Sequence, residues 1–168
     1  VKDNDIYVCD TLNNRIIQLK YENDTFSLVK EVKEINNGDK KETLSQPYDI
    51  FVTDDDEWYI ADYGNDRIIY ADSSQNYLGA IYKPEDEETI EADFKFKPMK
   101  LVVDSAKIIF VQAQNVNKGL MEFEGDGEFV GYIGAADVSF NFVDYFYKMI
   151  STQAQREQME AFVPTEYN

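Results

Sequence analysis

The chain has 168 residues and a net charge of −17, from 16 Lys and Arg against 33 Asp and Glu. That balance excludes the basic patch that releases counterions from nucleic acid, and the Lys/Arg cluster that adsorbs to anionic membranes. It contains no histidine and only Cys9, so imidazole chemistry, an intrachain disulfide and a CxxC redox or zinc site are all excluded. The length suits one domain, and 43% apolar residues suffice for a core.

Taken in chain order, residues 1–5 are charged and lack the apolar run of a signal peptide. A strand is predicted from Ile6 to Asp10, followed across Thr11–Asn14 by a second from Arg15. One complete set of four strands then reads clearly. Strand a is predicted at Tyr48–Thr53, b at Trp58–Asp62, c at Arg67–Ala71 and d at Tyr77–Tyr82. Each is a short β-branched or aromatic run bounded by Asn, Asp, Gly or Ser, as strands are. The connections 54–57, 63–66 and 73–76 are hairpin-sized. A further set begins at Pro98–Asp104 and Ile109–Val111, carries the tight-turn signal Gly125-Asp126-Gly127, and ends at Phe129–Gly134. The longest apolar stretches, such as Leu101–Val103, are strand-sized and far short of a membrane span.

The strand sets repeat. The segment 6–17 aligns without a gap on 58–69, at an offset of 52 that superposes Asp10 on Asp62, Asn13 on Asn65 and Arg15 on Arg67. In a weaker third copy Asn117 keeps the offset from Asn65, while Gln114 and Gly119 stand at the Asp and Arg positions. A second register pairs Pro47–Asp54 with Pro98–Asp104. Four-stranded units at a period of about 50 residues signal propeller blades. The segments 6–16 and 58–69 resemble NHL repeats, whose core runs apolar-Tyr-Val-x-Asp-x-x-Asn-x-Arg-Ile. The resemblance covers residues 1–134 and implies an all-β fold, a β-propeller of usually six blades.

The chain holds about three blades, so the expectation is roughly half a ring. It is then either a piece of a longer chain or one of two copies that complete the ring. Residues 1–134 are assigned to the blades, 135–162 to a helical insertion, and 163–168 to the start of a next blade. Within the insertion, Phe142, Phe146, Met149 and Ile150 recur at helical spacing, and Thr152 precedes Gln155 at capping-box spacing, giving helices at 140–150 and 152–162. An open half-ring leaves strand edges unpaired, which predicts self-association. The acidic NHL-like blades with this insertion also resemble the extracytoplasmic propeller region of certain Gram-positive envelope proteins. That resemblance implies an extracellular or cell-envelope location and a tether outside this segment.

The candidate chemistry is sparse. Asp10, Asn13, Arg15 and their counterparts Asp62, Asn65, Arg67 read as a structural repeat motif, the Asp bonding turn amides and pairing with the Arg. The runs 54–57 and 85–88 read as solvated loops rather than calcium sites, because the spaced ligand pattern of an EF-hand is missing. Cys9, aligned with Ala61, reads as a small core residue. Tyr48, Asp49, Tyr63 and Asn115 fall near loops expected on one propeller face and are the ligand-binding candidates. Three functions follow. The favoured one is a non-catalytic module binding a protein, peptide or glycan. The second is a lactonase- or lyase-like enzyme with Ca2+ or Mg2+ in a channel fed by Asp49, Lys100 and Glu166. The third is a structural linker. The favoured reading requires no cofactor, nucleic acid or direct membrane contact.

Overall fold

A computed structural model describes residues 2, 4–85, 90 and 93–134. The chain divides into compact units at 1–135 and 136–168. The expected helices at 140–150 and 152–162, the next-blade start at 163–168, Glu166 and most of the acidic run 85–88 lie outside the described residues.

The first unit is all-β. β1 (Asp5–Asp10), β2 (Arg15–Glu22) and β3 (Thr25–Val32) form a three-stranded antiparallel sheet in sequence order. β4 (Glu34–Asn37) and β5 (Lys40–Thr43) form a separate hairpin. β6 (Pro47–Val52), β7 (Trp58–Asp62), β8 (Arg67–Ala71) and β9 (Tyr77–Ile81) make one four-stranded meander. β10 (Pro98–Val103), β11 (Ile109–Ala113), β12 (Leu120–Phe123) and β13 (Phe129–Ile133) make a second. This is the expected partial propeller: β6 lies against β1, and β10 lies against β6 and β7.

Alternation along β7 explains why the sheets stack. Trp58 and Ile60 face the first sheet, where they join Ile16, Val32, Ile35, Leu44, Ile69 and Ala71 in one core. Tyr59 and Ala61 face the other way and join Ile68, Leu101, Val111, Met121 and Phe123 in a second core. Every residue of β7 is buried, because a strand with sheets on both sides needs apolar groups on both faces. Each large side chain so buried contributes about 1.5–3 kcal/mol.

Two sequence expectations are corrected. The β4–β5 hairpin was not foreseen: of its eight residues only Ile35 is apolar, so no alternation marks it, yet Ile35 is fully buried. The register of the third set also differs. Pro98 pairs with Ala113 as Pro47 pairs with Asp62, so Ala113, not Gln114, occupies the Asp position. Paired Val111 and Met121 lie one residue further apart in the chain than the matching pair Ile60 and Ile69, and the longer turn absorbs the shift.

Candidate functional site

The repeat motif builds clasps. After β7 the chain makes a 3-10 turn at Tyr63–Asn65, ended by Asp66 in the left-handed region (φ 57). Thr11–Asn13 and Asn14 (φ 53) repeat it after β1. Asn and Asp tolerate that conformation better than other non-glycine residues. The turn returns Asn65 Nδ2 to Asp62 Oδ2 (2.8 Å) and to the Thr43 carbonyl (2.8 Å). Arg67 Nε donates to Asp62 Oδ2 at 2.9 Å and Nη1 to Glu42 Oε2 at 2.7 Å, while the Ser45 amide donates to Asp62 Oδ1 at 2.7 Å. Asp62 is 0% and Arg67 6% exposed. Burial alone would lower the Arg67 pKa, but the bonds from Glu42 and Asp62 outweigh it and the net shift is upward. Glu42 is held below the usual glutamate range by Arg67 first and Asn37 second.

In the first sheet the same residues make a solvated version. Asn13 Nδ2 reaches both Asp10 oxygens at 2.9 and 3.0 Å, Arg15 Nε reaches Asp10 at 2.7 Å and Nη1 reaches Glu31 at 2.8 Å. Hydrogen bonds from Arg15 and then Asn13 hold the Asp10 carboxyl low. Both copies have every motif side chain engaged within the fold, as a structural role requires.

The same turns join one sheet to the next. Thr11 Oγ1 donates to the Pro47 carbonyl (2.8 Å), and the Gln46 amide donates to Asn14 Oδ1 (2.8 Å). One repeat later, Lys97 Nζ donates to the Tyr63 carbonyl (3.1 Å) and pairs with Asp66. These joints gather the loops at one end of the sheets, where the tyrosines lie.

Tyr48 and Tyr63 meet there. Pro47 pairs with Asp62 and Asp49 with Ala61, so Tyr48 is the extra residue of a β-bulge at the start of β6. A bulge releases its residue from the ladder and re-aims the side chain. Tyr48 is 40% exposed and stacks on Tyr63, with ring centroids 4.4 Å apart and planes at 27°. Tyr63 Oη donates to Gln114 Oε1 at 2.6 Å, and Lys97 Nζ sits 4.9 Å from the Tyr63 ring centroid. Sequence reasoning named both tyrosines but missed Lys97 and Gln114, whose only signal was their place in loops beside β10 and β11. Asn115 sits one residue beyond Gln114, in the left-handed region at φ 63.

Asp49, the neighbour of Tyr48, points elsewhere. Its Oδ2 accepts from the Leu101 amide at 3.1 Å, and its Oδ1 is 3.4 Å from Lys100 Nζ. Asp49 therefore ties β6 to β10. Burial first, then the Asp49 charge, pushes the Cys9 thiol up to about 12, with Lys100 opposing. The acidic turn 54–57 is bridged by lysines from both neighbouring sheets. Lys2 Nζ reaches the Thr53 and Asp54 carbonyls and Asp56 Oδ1 at 2.6–2.9 Å, and Lys107 Nζ reaches both Glu57 oxygens at 2.8 and 2.9 Å. Among the described residues no three or more His, Cys, Asp or Glu side chains gather as a metal site, and no helix is long and apolar enough to cross a membrane.

No family model and no curated protein matches the chain. Solved structures do. A streptogramin B lyase matches at TM-score 0.51 and 10% identity over 77% of this chain and 37% of its own. Hydrazine synthase from Kuenenia stuttgartiensis matches at TM-score 0.55 and 12% identity over 79% and 33%. A protein of unknown function from Bacteroides caccae matches at TM-score 0.54 and 13% identity over 82% and 47%. The chain thus spans between a third and a half of the structures it matches. They support the β-propeller fold.

Proposed function

We propose that the chain is a non-catalytic β-propeller module that binds a peptide, protein or glycan, as part of a larger envelope protein. The observation that carries this reading is Tyr48: a bulge lifts it out of β6 and leaves it 40% exposed on a ring stacked behind it. A tyrosine held flat by a second ring offers contact area at small entropic cost, and its hydroxyl supplies a polar handle. Gln114 and Lys97 border the pair with amide and ammonium groups drawn from the next sheet. The combination of acidic, NHL-like blades with the Tyr- and Phe-rich segment at 135–162 and the 163–168 return in the sequence motivates the envelope location.

The competing reading is a metal-dependent enzyme like the lactonase and lyase propellers, and one structural neighbour is named a lyase. It needs carboxylates free to converge on Ca2+ or Mg2+. Asp49 would have to give up the Leu101 amide and Lys100, and Asp62 would have to give up three donors. Binding through the loop face asks for no such rearrangement.

Calorimetric titration against soluble oligosaccharides and against unstructured peptides tests the proposal. At least one class should bind, and Tyr48→Ala should weaken that binding about tenfold, as loss of an aromatic anchor does. The Tyr48→Ala chain should keep the parent melting temperature. Binding that Tyr48→Ala leaves unchanged, or stabilisation by Ca2+ or Mg2+ alone, would overturn it.

A further inference from the structure

Asn37-Gly38 is the one place in the sequence where glycine follows asparagine. It lies at the tip of the β4–β5 hairpin, where Asn37 pairs with Lys40 across the turn Gly38-Asp39. Gly38 is exposed at φ 60, and a Cβ built on it would meet nothing within 4 Å. A backbone nitrogen with no side chain beside it and open space around it approaches the preceding side chain more freely than any other. What holds it in place is the last pair of a two-stranded hairpin, and such a pair opens at small cost.

The same asparagine supports the buried clasp. Asn37 Nδ2 donates to Glu42 Oε1 at 3.1 Å, and Glu42 Oε2 receives Arg67 Nη1 at 2.7 Å. One amide therefore steadies the carboxylate through which the hairpin grips Arg67, itself 6% exposed. Asparagine is a thermolabile residue, and its amide is the group that is lost.

We propose that Asn37-Gly38 is a self-modification site, where Asn37 deamidates without an enzyme and the product loosens the β4–β5 hairpin from Arg67. The step needs only water. The Gly38 nitrogen gives its proton to solvent and bonds to Asn37 Cγ. The Cγ–Nδ2 bond breaks, Nδ2 takes up a proton and leaves as ammonia, and a cyclic imide closes. Water then opens the imide at either carbonyl. One opening leaves an aspartate, the other an isoaspartate whose main chain runs through the former side-chain carbon. Nothing is oxidised or reduced. Both products lose the donor to Glu42 and add a carboxylate beside it, where like charges repel. Lys40, whose charge also acts on Glu42, offsets part of that repulsion. The isoaspartate goes further: its extra main-chain carbon falls at the pair with Lys40 and displaces the register of the hairpin.

The test ages the intact chain in mildly alkaline buffer, then follows each asparagine by peptide mass spectrometry, with isoaspartyl methyltransferase counting isoaspartate. Asn37 should convert faster than every other asparagine, by about tenfold or more. Limited trypsin digestion then reads the hairpin at the exposed Lys40 and Lys41. The aged chain should be cut there several-fold faster than the fresh chain. Asn37→Gln keeps an amide but closes a larger and slower ring, so after the same ageing it should keep the fresh chain's cutting rate. Conversion of Asn37 no faster than that of the other asparagines overturns the site. A converted chain cut at the fresh chain's rate, or an aged Asn37→Gln chain cut as fast as the aged parent, overturns the loosening.

Discussion

Replacing Asp62 with alanine takes away the acceptor for three donors at once: the Ser45 amide, Asn65 Nδ2 and Arg67 Nε. Arg67, 6% exposed, would keep Glu42 as its remaining carboxylate, and Glu42 belongs to the separate β4–β5 hairpin. Breaking a buried ion pair by removing one partner costs about 3–5 kcal/mol. Stranding a buried amide such as that of Ser45 accounts for about 1–3 kcal/mol of such a loss. Against a total stability of about 5–15 kcal/mol, that is a severe change. The first sheet supplies the control. Asp10→Ala removes the same motif residue from a solvated clasp, where ion pairs contribute little. Urea unfolding followed by Trp58 fluorescence reads both variants. Trp58 is the one tryptophan, 2% exposed between the first two sheets. With an m-value near 2 kcal/mol/M, Asp62→Ala should lower the midpoint by about 1.5–2.5 M, and Asp10→Ala by far less. Equal shifts would refute the argument that burial, not the motif, sets the energy.

Glu42 is held below its ordinary 4.5, so it stabilises the folded chain above that pH and the contribution is lost as acid protonates it. Glu42→Gln should therefore lower stability at neutral pH and flatten the acid limb below pH 4.5, read by thermal melts across pH. Gly64 has no room for a methyl group: a Cβ there would lie 2.7 Å from the Ser45 carbonyl oxygen and also crowd its side chain. Gly64→Ala should cost about 1–3 kcal/mol by urea unfolding. The Cys9 thiol, pushed up from 9.0 to about 12, holds about a thousandfold less thiolate at pH 8 than in urea and should react with iodoacetamide more slowly by about that factor.

The strands with the strongest apolar character were legible before the structure. β7 and β8 fall at Trp58–Asp62 and Arg67–Ala71 as expected, and β6 and β9 differ by one residue at their ends. Asp10, Asn13 and Arg15 with Asp62, Asn65 and Arg67 were legible as clasps because a gapless repeat fixes their spacing. What the pattern could not carry is burial. The two clasps share a motif, yet only one is sealed, because the polar β4–β5 hairpin covers it and has no periodic signature. The bulge at Tyr48 was equally hidden, since it depends on how β6 registers against β7. That register sends Tyr48 to the loop face and Asp49 to Leu101, dividing two neighbours that the sequence grouped together. Lys97 and Gln114 entered the site through the third sheet, whose weaker repeat concealed a one-residue shift.

The most direct test of the account is an NMR titration of the isotope-labelled chain with whichever oligosaccharide or peptide binds, followed by Ca2+. The account predicts that ligand shifts the signals of Tyr48, Tyr63, Lys97 and Gln114 and leaves Asp10, Asp62 and Asp49 in place. Shifts centred on Asp49, Lys100 and Cys9, or a Ca2+ response at Asp62, would contradict it and return the channel to the centre of the chemistry.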